Sequence, residues 1–292
     1  AQIRIGDTFA VEKRLAEAII SYSRVPQRYP QEEPVVQKSF DNMATMALEQ
    51  QGAAAGIAVL RRAIEQVADP YFRGRVQLKI AKILCAGRDY PGAIDEYTVY
   101  QKAYGDLAAA IGVTLDQVEF LIAEAYRELA GQQDPEQNFR SAREGYQQVL
   151  DHYPGSTLVP DAYYGLGQAH FGLGELAEAK QAFAAIMAEY PQAPLAPYAL
   201  NWQARATFAM GAGQEAVALY QRLIDNYSSP LRDQAYKDQG LVYKALGQPA
   251  QAIDAFSRVP RGAASWSKVQ AEAGDLLLAA GRPEEIDGRF DV

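Results

Sequence analysis

The sequence is nearly without cysteine. Cys85 stands alone among 292 residues, so no intrachain disulfide can form and no pair of thiolates can hold zinc or haem. Cys85 itself reads as a small apolar residue on a packed helix. Histidine is almost as scarce: His152 and His170 lie 18 residues apart, with no carboxylate at ligand spacing on their own helix turns, which fits packing roles better than a metal site. Nucleophile signatures are absent, with no GxSxG and no Ser/Lys arrangement. The carboxylate pairs Glu32-Glu33 and Glu284-Glu285 are sequence neighbours. Such pairs diverge on a helix or sit in solvated links, which does not suit acid/base catalysis. Neither enzymatic activity nor a cofactor or metal is expected. No apolar run approaches the roughly 18 to 20 residues that span a bilayer. The longest are short, such as DLLLAAG at 275–281, so no transmembrane segment is expected. Basic side chains are too few to balance acidic ones, 28 against 36 for a net charge of −8, and that field repels the phosphates of nucleic acid. Runs of β-branched residues are rare, so few or no strands are expected.

What is present is a helix-forming, globular composition. Apolar residues are 49% and charged residues 22%, enough to build a core, and Ala, Leu, Glu, Gln and Arg fill long stretches. The chain also repeats itself. Ala142, Ala179, Ala216 and Ala252 recur at intervals of 37, 37 and 36 residues, each followed four residues later by Tyr146, Phe183, Tyr220 or Phe256. Tyr153, Tyr190 and Tyr227 close successive units. Fainter copies lie upstream at Ala93 with Tyr97, Gly56 with Leu60, and Ala18 with Tyr22.

Each unit breaks in the middle. Apolar residues at helical spacing run from Tyr163 through Leu166 to His170, stop at Gly174, and resume at Leu176, Ala179, Phe183 and Ile186. That pattern predicts a helix, a turn and a second helix. Gly174, Gly211, Gly247 and Gly281 mark the breaks, where a residue tolerating positive φ ends a helix, and Gly52 and Gly87 are expected to do the same earlier. Tyr190-Pro191 ends the second helix, since proline cannot continue it. The four glycines of YYGLGQAHFGLG, residues 163–174, raise the question of a phosphate loop. Such a loop follows a strand, whereas these glycines lie within and at the end of a helix. Gly167 and Gly240 are expected to be small because the two helices of a hairpin approach closely there.

These residues resemble the tetratricopeptide repeat. Tyr163, Leu166, Gly167, His170, Ala179, Phe183 and Pro191 stand at that signature's spacings, with His170 in place of the usual Tyr. A second copy reads Tyr236, Gln239, Gly240, Tyr243, Ala252 and Phe256, with Gln239 in place of Leu. The copy between them keeps Ala216 and Tyr220 but has Leu200, Gln203, Ala204 and Thr207 on its first helix. The resemblance implies an all-α, right-handed superhelical solenoid of about six to seven helix hairpins. Residues 1–105 would hold irregular repeats, 106–135 a longer link and an interrupted repeat, and 136–292 a regular array with a C-terminal capping helix. Within the link, Thr114 is a candidate N-cap, a bend near 106–117 is plausible, and the segment 130–140 should lengthen a turn. The extended Tyr-Pro links make the units similar to those of bacterial periplasmic and outer-membrane-associated proteins, such as the Tol-Pal accessory protein and the outer-membrane assembly lipoproteins. Ala1-Gln2 reads as the pair left behind a signal peptidase, or as the start of a trimmed chain. A periplasmic or outer-membrane-associated location is therefore expected, while the cysteine count also suits the cytoplasm.

The resemblance implies a non-catalytic scaffold that binds a protein or peptide partner along the first helices of its repeats. The free stripe of those helices should carry Asp161, Tyr164, Gln168 and Phe171, then Tyr198, Asn201, Arg205 and Phe208, then Gln234, Lys237, Leu241 and Lys244. Phe171 and Phe208 would flank one channel, or would pack against neighbouring helices. A cationic stripe of Arg75, Lys79 and Lys82 shares one helix face. It is either an ordinary solvated face or a contact for an acidic partner. A structural subunit that stacks on copies of itself or in a larger complex is the alternative reading, and a peptidoglycan or polysaccharide binder a further one.

Overall fold

The computed structural model describes residues 1–228 and 231–282, and no strand occurs among them. The pair Glu284-Glu285 lies outside the described residues. The chain forms two compact units, Ala1–His152 and Tyr153–Val292.

In the first unit, α1 (Gln2–Val11) pairs with α2 (Leu15–Arg28), α3 (Glu33–Gln51) with α4 (Ala53–Gln66), and α5 (Pro70–Ala86) with α6 (Tyr90–Tyr104). A 3-10 turn at Gly105–Leu107 and the short α7 (Ala108–Ile111) follow, and then α8 (Leu115–Ala130) pairs with α9 (Pro135–His152). In the second unit, α10 (Val159–Gly172) pairs with α11 (Leu176–Glu189), α12 (Ala196–Ala209) with α13 (Gly213–Asn226), and α14 (Leu231–Ala245) with α15 (Pro249–Ser257). The last described helix, α16 (Trp266–Ala279), packs on α15. The described residues thus make seven hairpins and a terminal helix, an all-helical fold of tetratricopeptide type.

The sequence period falls on the second helix of every hairpin. Ala18 and Tyr22, Leu60, Ala93 and Tyr97, Ala142 and Tyr146, Ala179 and Phe183, Ala216 and Tyr220, and Ala252 and Phe256 are all buried. Sixteen residues before each large side chain stands a small one on the first helix. A Cβ on Gly167 would lie 2.7 Å from Phe183 Cε1, one on Gly240 2.5 Å from Phe256 Cε1, and one on Gly6 2.4 Å from Tyr22 Cε1. In the other four hairpins the small residue is buried Ala44, Ala81, Ala130 or Ala204, opposite Leu60, Tyr97, Tyr146 and Tyr220. The ring of the second helix, more than the two backbones, fills the space that the glycine leaves.

Turn chemistry follows the pattern with one correction. Gly174 and Gly211 take φ of 76° and 85°, and Gly52 takes 84°, but Gly87 stays right-handed at φ −79°. Arg88, at φ 62°, makes that turn instead. The segment 130–140 lengthens its turn as expected, but by one residue, four against the three at 173–175. Only residues 131–134 lie between α8 and α9, because Pro135 starts a helix at once and the excess goes into α9, at 18 residues against 14 for α11. The link at 106–117 packs inside the first unit. Ala108 joins the buried cluster around Tyr97 and Tyr100, and the Tyr100 hydroxyl donates to the Val113 carbonyl at 3.2 Å. Thr114 stands at the N-cap of α8, where its own N–H donates to Gln117 Oε1 at 3.2 Å in a capping box.

Charged groups inside the first unit are partnered. The buried Glu96 carboxylate accepts from Arg61 and Gln77, and the Tyr146 hydroxyl donates to Glu124. Glu119 is less well served. Gln101 Nε2 donates to its Oε1 at 3.1 Å, but its buried Oε2 has no partner, and burial pushes the carboxyl above its usual range against the pull of His152.

Two predictions follow from the packing. Phe183→Ala and Phe256→Ala should each lower stability by about 3–5 kcal/mol, and Ala81→Leu, which drives a side chain into Tyr97, by about 1–3 kcal/mol, all read from denaturant titrations. Equal midpoints for mutant and parent would mean that the pairs are drawn wrongly. Because Glu119 holds its proton more tightly folded than unfolded, its contribution to stability falls as pH rises through its raised pKa. Glu119→Gln should therefore raise the melting temperature more at pH 7 than at pH 4; a gain independent of pH would contradict it.

Candidate functional site

Helices α10, α12 and α14, the first helices of three successive hairpins, border one cleft of about 620 Å3 in the second unit. Helix α12 supplies one wall, with Tyr198, Asn201, Trp202, Arg205, Phe208 and Ala209. These positions follow helical spacing, so they form one stripe. The facing wall on α14 uses the same spacing, with Leu231, Gln234, Lys237, Asp238, Leu241 and Val242. Phe171 closes the α10 side, and Tyr220 of α13 lies at the floor.

The cleft is built on aromatic packing. Trp202 stacks on the core ring of Phe183, with centroids 6.0 Å apart and planes at 19°, and meets Phe171 edge-on at 5.2 Å and 74°. Phe171 is half-buried by that contact, whereas Phe208 is 36% and Tyr198 48% exposed. The Arg205 guanidinium lies over Trp202 at 4.1 Å from the ring centre, and 5.9 Å from that of Phe171, a cation–π contact that holds it in place. On the α14 wall, Asp238 accepts from Lys237 at 3.3 Å and from Gln234 Nε2 at 2.8 Å. Burial, assisted by Asp238, pushes the Tyr220 phenol upward, so the floor is neutral. Asn201 is 8% exposed, and its amide nitrogen has no hydrogen-bond partner. An orphaned donor of that kind lowers stability by about 1–3 kcal/mol.

Of the residues expected on the free stripe, the structure brings together Phe171, Tyr198, Asn201, Arg205, Phe208 and Lys237, with Gln234 and Leu241. Asp161 and Gln168 are half-buried and do not border this cleft. Tyr164 packs edge-on against Phe183 at 5.7 Å, and Lys244 bonds Glu272 of α16 at 2.5 Å. The pairing of Phe171 and Phe208 as two exposed rings is corrected, since only Phe208 is open. Sequence reading missed Trp202 and Asp238. They hold equivalent places in successive repeats, one residue around the helix from the stripe that was drawn, and the one available signal was that Trp202 is among only two tryptophans. His170 takes the half-buried packing place expected of it on α10. Its Nδ1 lies 2.6 Å from Glu175 Oε2, at the start of the second helix, which ties the turn of that hairpin.

The cationic stripe lies on α5 and turns toward α3. Lys79 pairs with Asp41 at 3.2 Å, and Arg75 Nη2 donates to Gln37 at 3.4 Å, so two of its three charges stitch helices together, while Lys82 is exposed.

A tetratricopeptide repeat family model matches residues 136–194, 173–229 and 203–268. Together the matches span residues 136–268, a little under half of the chain. No curated protein matches the sequence. Among solved structures, the C-terminal part of a TPR repeat-containing protein from Cytophaga hutchinsonii aligns with a TM-score of 0.64 and 16% identity, over 94% of this chain and 99% of that one. A tetratricopeptide repeat protein from Parabacteroides merdae gives 0.52 at 15% identity, over 95% and 97%. The apo form of RapI gives 0.60 at 11% identity, over 94% and 78%. At these identities the likeness shows the repeat fold of the chain.

The two rings separate packing from surface. Phe208→Ser should shift the melting temperature by less than about 2 °C, as surface substitutions do, while Phe171→Ser, which strips the edge contact from Trp202, should lower it clearly. Similar losses in circular dichroism melts of both variants would show that Phe208 is part of the core.

Proposed function

We propose that this protein is a non-catalytic scaffold that binds an extended segment of a partner protein in the cleft between α10, α12 and α14. The observation that carries the reading is the stripe on α12, where Tyr198 and Phe208 are exposed beside Arg205 and Asn201. Exposed rings next to polar groups suit polypeptide recognition, with apolar area giving affinity and hydrogen bonds giving register. The Trp202 and Phe171 rings of the cleft are held by packing on each other, so little order is lost there on binding. The Tyr-Pro links at Tyr153-Pro154 and Tyr190-Pro191 support a place in the bacterial envelope, which fractionation of cells expressing the natural gene would check.

A photo-crosslinking residue placed at Phe208 should give polypeptide adducts in the native cell. The same residue at Gln181, exposed on the second helix α11, should give few. Equal yields at the two positions, or none at Phe208, would overturn the reading. Adducts solely between copies of this chain would favour a structural subunit instead.

A further inference from the structure

We infer that the segment taken by this cleft is acidic, with one Asp or Glu side chain docking on Arg205 and a neighbouring main-chain carbonyl accepting from the Asn201 amide. This rests on the reading of the cleft as a polypeptide site and names the chemistry of its occupant. The charged side chains of the wall are Arg205, Lys237 and Asp238, so the cleft carries one net positive charge in a chain of net charge −8. Asp238 is engaged at both oxygens by Lys237 and Gln234, which largely spends the lysine charge within the wall. Arg205 is different. It is exposed, and among the described residues it makes no hydrogen bond or ion pair.

The geometry of that arginine selects a carboxylate. Its Cζ lies 4.1 Å from the centre of the Trp202 ring, the separation at which a guanidinium stacks by its face on an aromatic ring, and its five N–H donors lie in the plane and along the edge. Stacking therefore fixes the orientation of the fork without occupying it, and a fork held in that way matches the two oxygens of a carboxylate. Asn201 supplies the second, independent contact. It lies four residues before Arg205 on α12, about 6 Å along the helix, close to the about 6.6 Å between alternate residues of an extended chain. Its amide nitrogen is buried without a partner on a side chain that borders the cleft, so rotation about χ2 is what would present the NH2 to a ligand. A peptide carbonyl meeting it there relieves the orphaned donor, which a purely apolar ligand would not do. Tyr198 and Phe208, seven residues before and three residues after Arg205 on the same helix, meet apolar side chains flanking the acid.

The test is selection of a random linear peptide library, displayed on phage, against the full chain. Synthetic versions of the selected peptides are then titrated by fluorescence anisotropy. Peptides weakened by Phe208→Ser should be enriched in Asp or Glu and should lose about tenfold or more in affinity when that residue becomes Asn or Gln. Arg205→Met should weaken the acidic peptides about as much, and on that variant the acid-to-amide change should have little further effect. Arg205→Lys, which keeps the charge and loses the fork, should fall between, and Asn201→Leu should weaken binding several-fold with an unchanged preference for acid. Circular dichroism melts confirm that each variant is folded. Peptides that depend on Phe208 but show no acidic preference would overturn this inference and leave the cleft a polypeptide site. A selection yielding nothing sensitive to Phe208→Ser would overturn both.

Discussion

The structure depends on one steric pairing, a large side chain on the second helix of each hairpin set against a Gly or Ala sixteen residues earlier on the first. Phe183 against Gly167 and Phe256 against Gly240 are the tightest cases in the second unit, and Tyr22 against Gly6 is the same device at the start of the chain. A ring packed over a missing or minimal Cβ brings two helices into contact without a cavity, which close packing requires. Because each hairpin leaves one side to meet its neighbour, the same pairing fixes where the free stripe of the first helix points.

The cleft follows from that constraint. Phe183 fills the space over Gly167 and presents its other side to Trp202, which stacks on it and in turn carries Arg205. A chain of contacts thus runs from the interior of one hairpin to a charged group on the surface of the next. The polar members of the cleft sit where this chain reaches the surface, and they are held by rings more than by ion pairs. Several other cations are tied to carboxylates: Arg61 to Glu96, Lys79 to Asp41, Lys244 to Glu272. Arg205 is held by the Trp202 ring instead.

The units are not equally regular, and the reasons are local. Between α6 and α8 the chain inserts a 3-10 turn and α7, yet Ala108 and Ile111 from that insert pack on the first unit's core. Near residue 134 the extra residues extend a helix because Pro135, with its preset φ, initiates one readily. At the α5–α6 turn a left-handed Arg88 does what glycine does in the later repeats. Each departure is absorbed within its own hairpin or its neighbour, as expected where contacts are mostly between adjacent elements.

The period of about 37 residues, the helix–turn–helix within each unit and the buried register from Ala18 to Phe256 were legible in the sequence, because a side chain that must fit one recurring niche recurs with it. Most of the α12 stripe was legible for the same reason. Tertiary structure alone decided which stripe residues remain open. Phe171 and Phe208 occupy the same place in successive repeats, but only Phe171 meets a tryptophan from the next helix, and no periodicity encodes that. Nor could spacing reveal that Asp238 would engage Lys237 while Arg205 was left with a ring. Repeats share a backbone register, whereas the state of each charge depends on the particular side chain that the neighbouring repeat places opposite it.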